Sequence, residues 1–375
     1  MTGLRTTLIV TNDFPPRQGG IQSYVHELAR RLAGPVVVYA STHDGAAEFD
    51  AAQPFPVVRH ATGLLLPTPA SARSTAAVLR EHEATAVWFG ASAPLGLLAP
   101  SLRRAGAQRV VASSHGHEAG WAKLPAGRQI LRRIGNECDV VTYITEYTRE
   151  RIEGAFGPNA TLRQLTPGVD VEMFQPGVDG SEIRERHGLT GRPVVVCVSR
   201  LVPRKGQDAL IRAMPAIRRQ IPDAALLLVG QGPYEADLRK LADEHGVGGD
   251  VVFTGGVSFA ELARYYAAGD VFAMPCRTRR GGLDVEGLGM VFLEASALGL
   301  PVVAGDSGGA PEAVREGETG FVVDGRDESM LAERITTLLG DAELRERLGR
   351  AGRDWVVAHW SWPMLAHQLD AFLQA

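Results

Sequence analysis

Val194-Val195-Val196-Cys197-Val198-Ser199-Arg200-Leu201-Val202-Pro203-Arg204-Lys205-Gly206 opens as an unbroken apolar run and closes as a basic loop ending in glycine. A short, β-branched-rich run bounded by turn residues reads as a buried strand. Downstream the same kind of run recurs at Ala225–Val229, Val251–Thr254, Val271–Ala273 and Pro301–Ala304, with longer helical patterns between. Upstream, Thr7–Thr11, Val36–Ala40, Ala86–Phe89, Arg109–Ser113 and Val140–Ile144 repeat it. The helical pattern at 21–32 places Ile21, Val25, Leu28 and Leu32 on one face. Strands alternating with helices predict parallel βαβ units, so the chain is α/β with two tandem doubly wound, Rossmann-like domains. Thr166–Gly180, rich in Pro, Gly and Asp and without period, reads as the linker. Open parallel sheets bind ligands at the carboxyl ends of their strands, so an interdomain cleft is the expected site.

The bulk numbers agree with this division. A chain of 375 residues exceeds one ordinary core and suits two domains. With 45% hydrophobic and 22% charged residues it is neither disordered nor membrane-spanning in composition. No apolar run approaches the ~20 residues that cross a bilayer, and no signal peptide is read at the N-terminus. Cys138, Cys197 and Cys276 are odd in number and lack metal-ligand spacing, which points to a reducing compartment and to small apolar filler. Residues 1–170 carry 17 basic and 14 acidic residues, a net +3, against 22 and 29, a net −7, in the remainder. That mild asymmetry permits a basic face on the first half.

Four stretches carry candidate chemistry. Asn12–Gly20 follows a strand, precedes a helix and ends in Gly19-Gly20, a pair that lets backbone N–H groups approach a phosphate. It lacks both the dinucleotide fingerprint and the P-loop ending, so a plain turn competes with a phosphate loop. In Ser199–Gly206, Arg200 offers a fork and Lys205 a point charge at the end of a first strand, with Arg204 between them. The third is Glu286-Gly287-Leu288-Gly289-Met290-Val291-Phe292-Leu293-Glu294. Its two carboxylates, eight residues apart across a glycine-rich helix start, offer acceptors to sugar hydroxyls, and the N–H groups of that start favour anionic oxygens. Glu294, inside an apolar stretch, needs a partner. The fourth, Ser113–Glu118, holds His115 and His117. A metal site there lacks a completing cluster, and a histidine bonding a sugar hydroxyl is the better functional reading, beside plain surface polarity.

Together these motifs resemble the family 4 retaining glycosyltransferases of GT-B fold over almost the whole chain. Glu286 and Glu294 match the Glu-x7-Glu motif, and Ser199–Gly206 and Gly230–Pro233 follow in the family's order. Asn12–Gly20, Ser114–Glu118, Pro275–Thr278 and Gly282–Glu286 narrow the resemblance to the actinobacterial enzymes that add the second mannose of phosphatidylinositol mannosides from GDP-mannose.

The resemblance implies roles by position. Arg200 and Lys205 would bind the diphosphate, helped by the backbone of Gly19 and Gly20. Glu286 and the backbone from Gly287 through Leu288, Gly289 and Met290 to Val291 would hold the mannose, Glu294 the ribose and Val257 the base. His115, with His117 beside it, would meet the sugar, and Asp13, Gln18 and Gln22 the acceptor. It implies transfer with retention and no metal or other cofactor. Domains would span 1–167 and 168–355, with a crossover helix at 356–375 returning to the first. The partners would be a nucleotide-sugar donor, a glycolipid acceptor and an anionic membrane met by the first domain, with Arg128, Arg132 and Arg133 near it, and no nucleic acid. The place would be cytoplasmic, on the inner face of the plasma membrane. Another nucleotide sugar or a soluble acceptor, a binding protein without catalysis, and a sugar-nucleotide 2-epimerase are the competing readings.

Overall fold

The computed structural model describes residues 3–375. It divides into two compact units: one ends at Gly168 and takes in Trp362–Ala375, and the other is Val169–Ser361. Each is built on a parallel sheet.

In the first unit the strands are β1 (Thr7–Thr11), β2 (Val36–Ala40), β3 (Val57–Arg59), β4 (Ala86–Phe89), β5 (Arg109–Ser113), β6 (Val140–Tyr143) and β7 (Leu162–Gln164). Among the described residues they form one sheet in the order β3-β2-β1-β4-β5-β6-β7. Side chains alternate across a strand, and here both faces are covered. Leu8 and Val10 of β1 enter one core, while Ile9 enters the other. The helix Trp362–Gln374 fills that second core with Trp362, Leu365, Ala366, Leu369 and Leu373, spaced as one helical stripe.

The second unit contains β8 (Val194–Val198), β9 (Ala225–Val229), β10 (Val251–Phe253), β11 (Val271–Met274), β12 (Val302–Gly305) and β13 (Gly320–Val323). Their order is β10-β9-β8-β11-β12-β13. All five residues of β8 and of β9 are buried, as their unbroken apolar runs require.

The ten strands expected from sequence are all present, with ends shifted by a residue at most. β3, β7 and β13 were not expected: Val-Val-Arg, Leu-Arg-Gln and Gly-Phe-Val-Val lie on sheet edges, are too short or too polar to make a run, and are half-exposed along much of their length. The helix read at 21–32 is Gly20–Ala29.

Two other expectations need adjusting. The stretch 166–180 is not a free linker, because Val169 bridges to Ser361 and Phe174 is buried in the core of the second unit. The returning helix starts at Trp362, since Ala342–His359 is one helix of the second unit and Trp360 joins that unit's core. The aromatics are therefore shared out. Trp355 and Trp360 meet edge-on in the second unit, and Trp362 meets Tyr24 in the first.

Cys138, Cys197 and Cys276 are buried free thiols. Burial pushes them up to about 12, about 11 and about 12 respectively, so they act as apolar filler.

Candidate functional site

In the second unit, strands are added in opposite directions on either side of the β8/β11 pair, and such a switch point opens a crevice at the strands' carboxyl ends. Two loops leave there, Ser199–Gly206 after β8 and Pro275–Glu286 after β11. Gly206 holds the first in place. Its φ of 80° is left-handed, and a Cβ would stand 2.0 Å from the Pro275 carbonyl oxygen, so only glycine allows the loops this close.

The loops join through charge. Lys205 Nζ lies 2.6 Å from Glu286 Oε2, and Arg204 Nη1 lies 2.5 Å from the same oxygen. Arg204 Nε also stands 3.2 Å from Asp284 Oδ1. Behind them Arg277 donates to both oxygens of Asp208 at 2.8 and 2.7 Å, and its N–H donates to the Arg204 carbonyl. The loop after β12 closes the back, with Gly309 N–H donating to the Glu286 carbonyl. Gly308 is again the only fit, with φ 60° and a would-be Cβ 1.9 Å from that carbonyl. Glu286 is thereby 7% exposed. Arg200 is exposed and forms no ion pair among the described residues, free to meet an anion.

From Glu286 the chain runs through Gly287 and buried Leu288 and Gly289 into the helix Met290–Ala297, whose first N–H groups have no intrahelical partner. Glu294 lies one turn in, half-buried, and Tyr266 Oη donates to it at 2.5 Å. Burial raises the Glu294 carboxyl above the ordinary range, with the Tyr266 bond opposing. Val257 follows β10, half-exposed in the loop where Gly230 and Gly255 bridge.

The first unit has its own switch point between β1 and β4. After β5, Glu118 is fully buried and gathers the loop around it. Its carboxylate accepts from Ser92 Oγ at 2.7 Å, Ser114 Oγ at 2.8 Å and the N–H groups of Gly116 and His115 at 3.1 and 3.2 Å. His117 Nε2 is 3.4 Å away on the exposed side. His115 is turned otherwise. Its Nε2 meets the Gly90 carbonyl at 2.6 Å, and since a carbonyl only accepts, that nitrogen carries the proton and Nδ1 is left as an acceptor. Burial lowers the His115 pKa, which keeps the ring neutral. Tyr24 stands edge-on to it at 5.0 Å.

After β1, Gln22 Nε2 donates to Asp13 Oδ1 at 2.8 Å, while Gln18, Gly19 and Gly20 are exposed at the helix start. Arg59 clamps this loop, donating to the Pro15 and Ser41 carbonyls and to both oxygens of Asp50.

The structure thus brings Lys205 and Glu286 into contact, with Arg200 on the same loop as Lys205. Glu294 and Val257 sit elsewhere in the same unit. His115, Asp13, Gln18, Gln22, Gly19 and Gly20 belong to the other unit. Sequence reading missed Arg204 as the second partner of Glu286, Tyr266 as the partner that Glu294 needs, and Glu118 as the organiser of the His115 loop. The only signal for Glu118 was its place in His-x-His-Glu. No group of three or more His, Cys, Asp or Glu side chains is arranged to hold a metal among the described residues.

Comparisons with known proteins bear on both units. Residues 179–355 match the family described as Glycosyl transferases group 1, and residues 18–173 match Glycosyltransferase Family 4. A Mycobacterium tuberculosis protein named GDP-mannose-dependent alpha-(1-6)-phosphatidylinositol monomannoside mannosyltransferase is 54% identical over 98% of this chain and 97% of its own. In Corynebacterium glutamicum, the GDP-mannose-dependent monoacylated alpha-(1-6)-phosphatidylinositol monomannoside mannosyltransferase is 49% identical over 100% of this chain and 99% of its own. Among solved structures, Anabaena HepE in complex with UDP superposes with a TM-score of 0.79 over 99% of both chains at 20% identity, a likeness of fold.

Proposed function

This chain belongs to the group 1 and family 4 glycosyltransferases of GT-B fold, and from that membership we propose that it moves mannose from GDP-mannose to phosphatidylinositol monomannoside, giving the dimannoside. The observation that carries the reading is the contact between Lys205 and Glu286 at the β8/β11 switch point. It sets a cation fit for a diphosphate beside a carboxylate fit for sugar hydroxyls.

In this reading Arg200 and Lys205 take the diphosphate, with the backbone of Gly19 and Gly20. Glu286 and the backbone of Gly287–Val291 take the mannose, Glu294 takes the ribose hydroxyls and Val257 the guanine edge. His115 presents Nδ1 to a sugar hydroxyl, and Asp13, Gln18 and Gln22 line the acceptor. Transfer proceeds with retention. The bond from the anomeric carbon to the β-phosphate oxygen breaks while the acceptor hydroxyl adds from the same face, and its proton passes to the departing diphosphate. Charge growing on that diphosphate is met by Arg200, Lys205 and the helix start at Met290. The reaction then needs no metal or other cofactor, and activity should survive EDTA.

A glycolipid acceptor places the first unit at a membrane surface, on the cytoplasmic side where GDP-mannose is available. Supporting features are the helix Pro125–Glu137 with Arg128, Arg132 and Arg133, and the exposed Leu124 just before it. No helix of the described residues is long and apolar enough to cross a membrane. Each basic residue near an anionic surface contributes about 1 kcal/mol, so several act together.

The test is radiolabelled GDP-mannose offered with phosphatidylinositol and with its monomannoside, with and without EDTA. Label is expected on the monomannoside in both conditions. Label on phosphatidylinositol alone would move the enzyme one step earlier, and transfer only from a UDP- or ADP-hexose would overturn the donor.

A further inference from the structure

Resting on that reading of the donor site, we propose that Arg204 is the positioning residue that holds Glu286 for the sugar of the donor and sets the preference for sugar diphosphate over bare nucleotide diphosphate. Arg204 lies beside Lys205 in the same loop, yet its contacts run to different groups. Its guanidinium spans two carboxylates, with Nη1 at 2.5 Å from Glu286 Oε2 and Nε at 3.2 Å from Asp284 Oδ1. Arg279 approaches Asp284 from the far side at 3.8 Å. The main chain of Arg204 is fixed independently, because its carbonyl accepts from the Arg277 N–H at 2.8 Å and Arg277 is itself pinned to Asp208.

Lys205 and Arg204 converge on one oxygen of Glu286, and no hydrogen bond reaches its Oε1 among the described residues. Two cations on one carboxylate oxygen, buried Lys205 and half-buried Arg204, are redundant for holding the loops together. They are not redundant once a diphosphate arrives. Lys205, a compact charge on a flexible stem, can turn to the phosphate oxygens. Arg204 cannot follow without abandoning Asp284, so it keeps Glu286 Oε2 and leaves Oε1 for a sugar hydroxyl. A paired carboxylate also costs far less to keep buried than a lone one, and Glu286 is 7% exposed. Without Arg204, Lys205 would have to serve both the diphosphate and Glu286. The cost of drawing Lys205 from Glu286 falls on any diphosphate, and the cost of a misplaced Glu286 falls in addition on ligands that carry the sugar.

Calorimetric titration of wild type and Arg204→Gln with GDP and with GDP-mannose separates the possibilities. We expect GDP to bind a few-fold more weakly than to wild type and GDP-mannose to lose about tenfold more than GDP does, as loss of one further charge-assisted contact predicts. Arg204→Lys, which keeps the charge but cannot span both carboxylates, should fall between, and it carries the test should Arg204→Gln not fold. Equal weakening for both ligands would make Arg204 a phosphate ligand, and no weakening for either would make it a spectator. Each outcome overturns the proposal. Wild type that binds a UDP-hexose in place of GDP-mannose would sink the donor reading alone, and the same comparison with UDP and that UDP-hexose then decides the role of Arg204.

Discussion

Glu118 and Glu286 are both buried carboxylates just beyond parallel strands, one in each unit, but they are satisfied in different ways. Glu118 accepts from neutral donors, two serine hydroxyls and two backbone N–H groups. Glu286 is held by the tips of two cationic side chains, one of them 28% exposed. Neutral, fixed donors have no other task, and removing their acceptor strands them in the interior. A flexible cationic tip such as that of Lys205 can exchange one anion for another, while Arg204 keeps the carboxylate paired. The first arrangement suits a scaffold and the second a site that must open for its ligand.

Substituting each carboxylate should separate the two. Glu286→Ala is expected to lower turnover of GDP-mannose by about 10²–10³-fold, the effect of losing one transition-state contact. A steady-state rate within a few-fold of wild type would remove Glu286 from the sugar site. Glu118→Ala is expected to cost about 3 kcal/mol through the donors it leaves unpaired, a fall of roughly 6–12 °C in Tm for a unit of this size. The same measurement on Glu286→Ala should show a smaller fall, and the reverse order would break the comparison.

The smallest effect concerns pH. Burial keeps the His115 pKa below its ordinary value near ~6.5, so the neutral ring, with Nδ1 accepting, persists above that lowered value and is lost below it. The unfolded chain takes up the proton first as pH falls, so acid weakens both activity and folding. The rate profile should show an acid limb with its midpoint below ~6.5 that disappears in His115→Asn. An unchanged limb in that variant would release His115 from the role.

Much of the architecture was legible because central parallel strands must be apolar on both faces. Val194–Val198 and Thr7–Thr11 announce themselves for that reason, while Leu162–Gln164 and Val57–Arg59 need cover on fewer sides and leave no such run. The site was legible where residue type implied chemistry, as at Lys205, Glu286 and the glycines between Glu286 and Met290. It was illegible where a role depends on a partner far along the chain. Tyr266 and Glu294 are 28 residues apart, and nothing local marks one as the other's donor.

By itself, then, the amino-acid sequence determined the alternation of strands and helices, the tandem sheets and the presence of a basic loop and a two-carboxylate segment, because these follow from local burial and backbone freedom. Only the tertiary structure decided that Arg204 and Lys205 meet Glu286 on one oxygen, that Glu118 organises the His115 loop and that the chain returns to the first unit at Trp362. Those outcomes turn on which loops the sheet order brings together. They also turn on which polar groups must find partners once water is excluded.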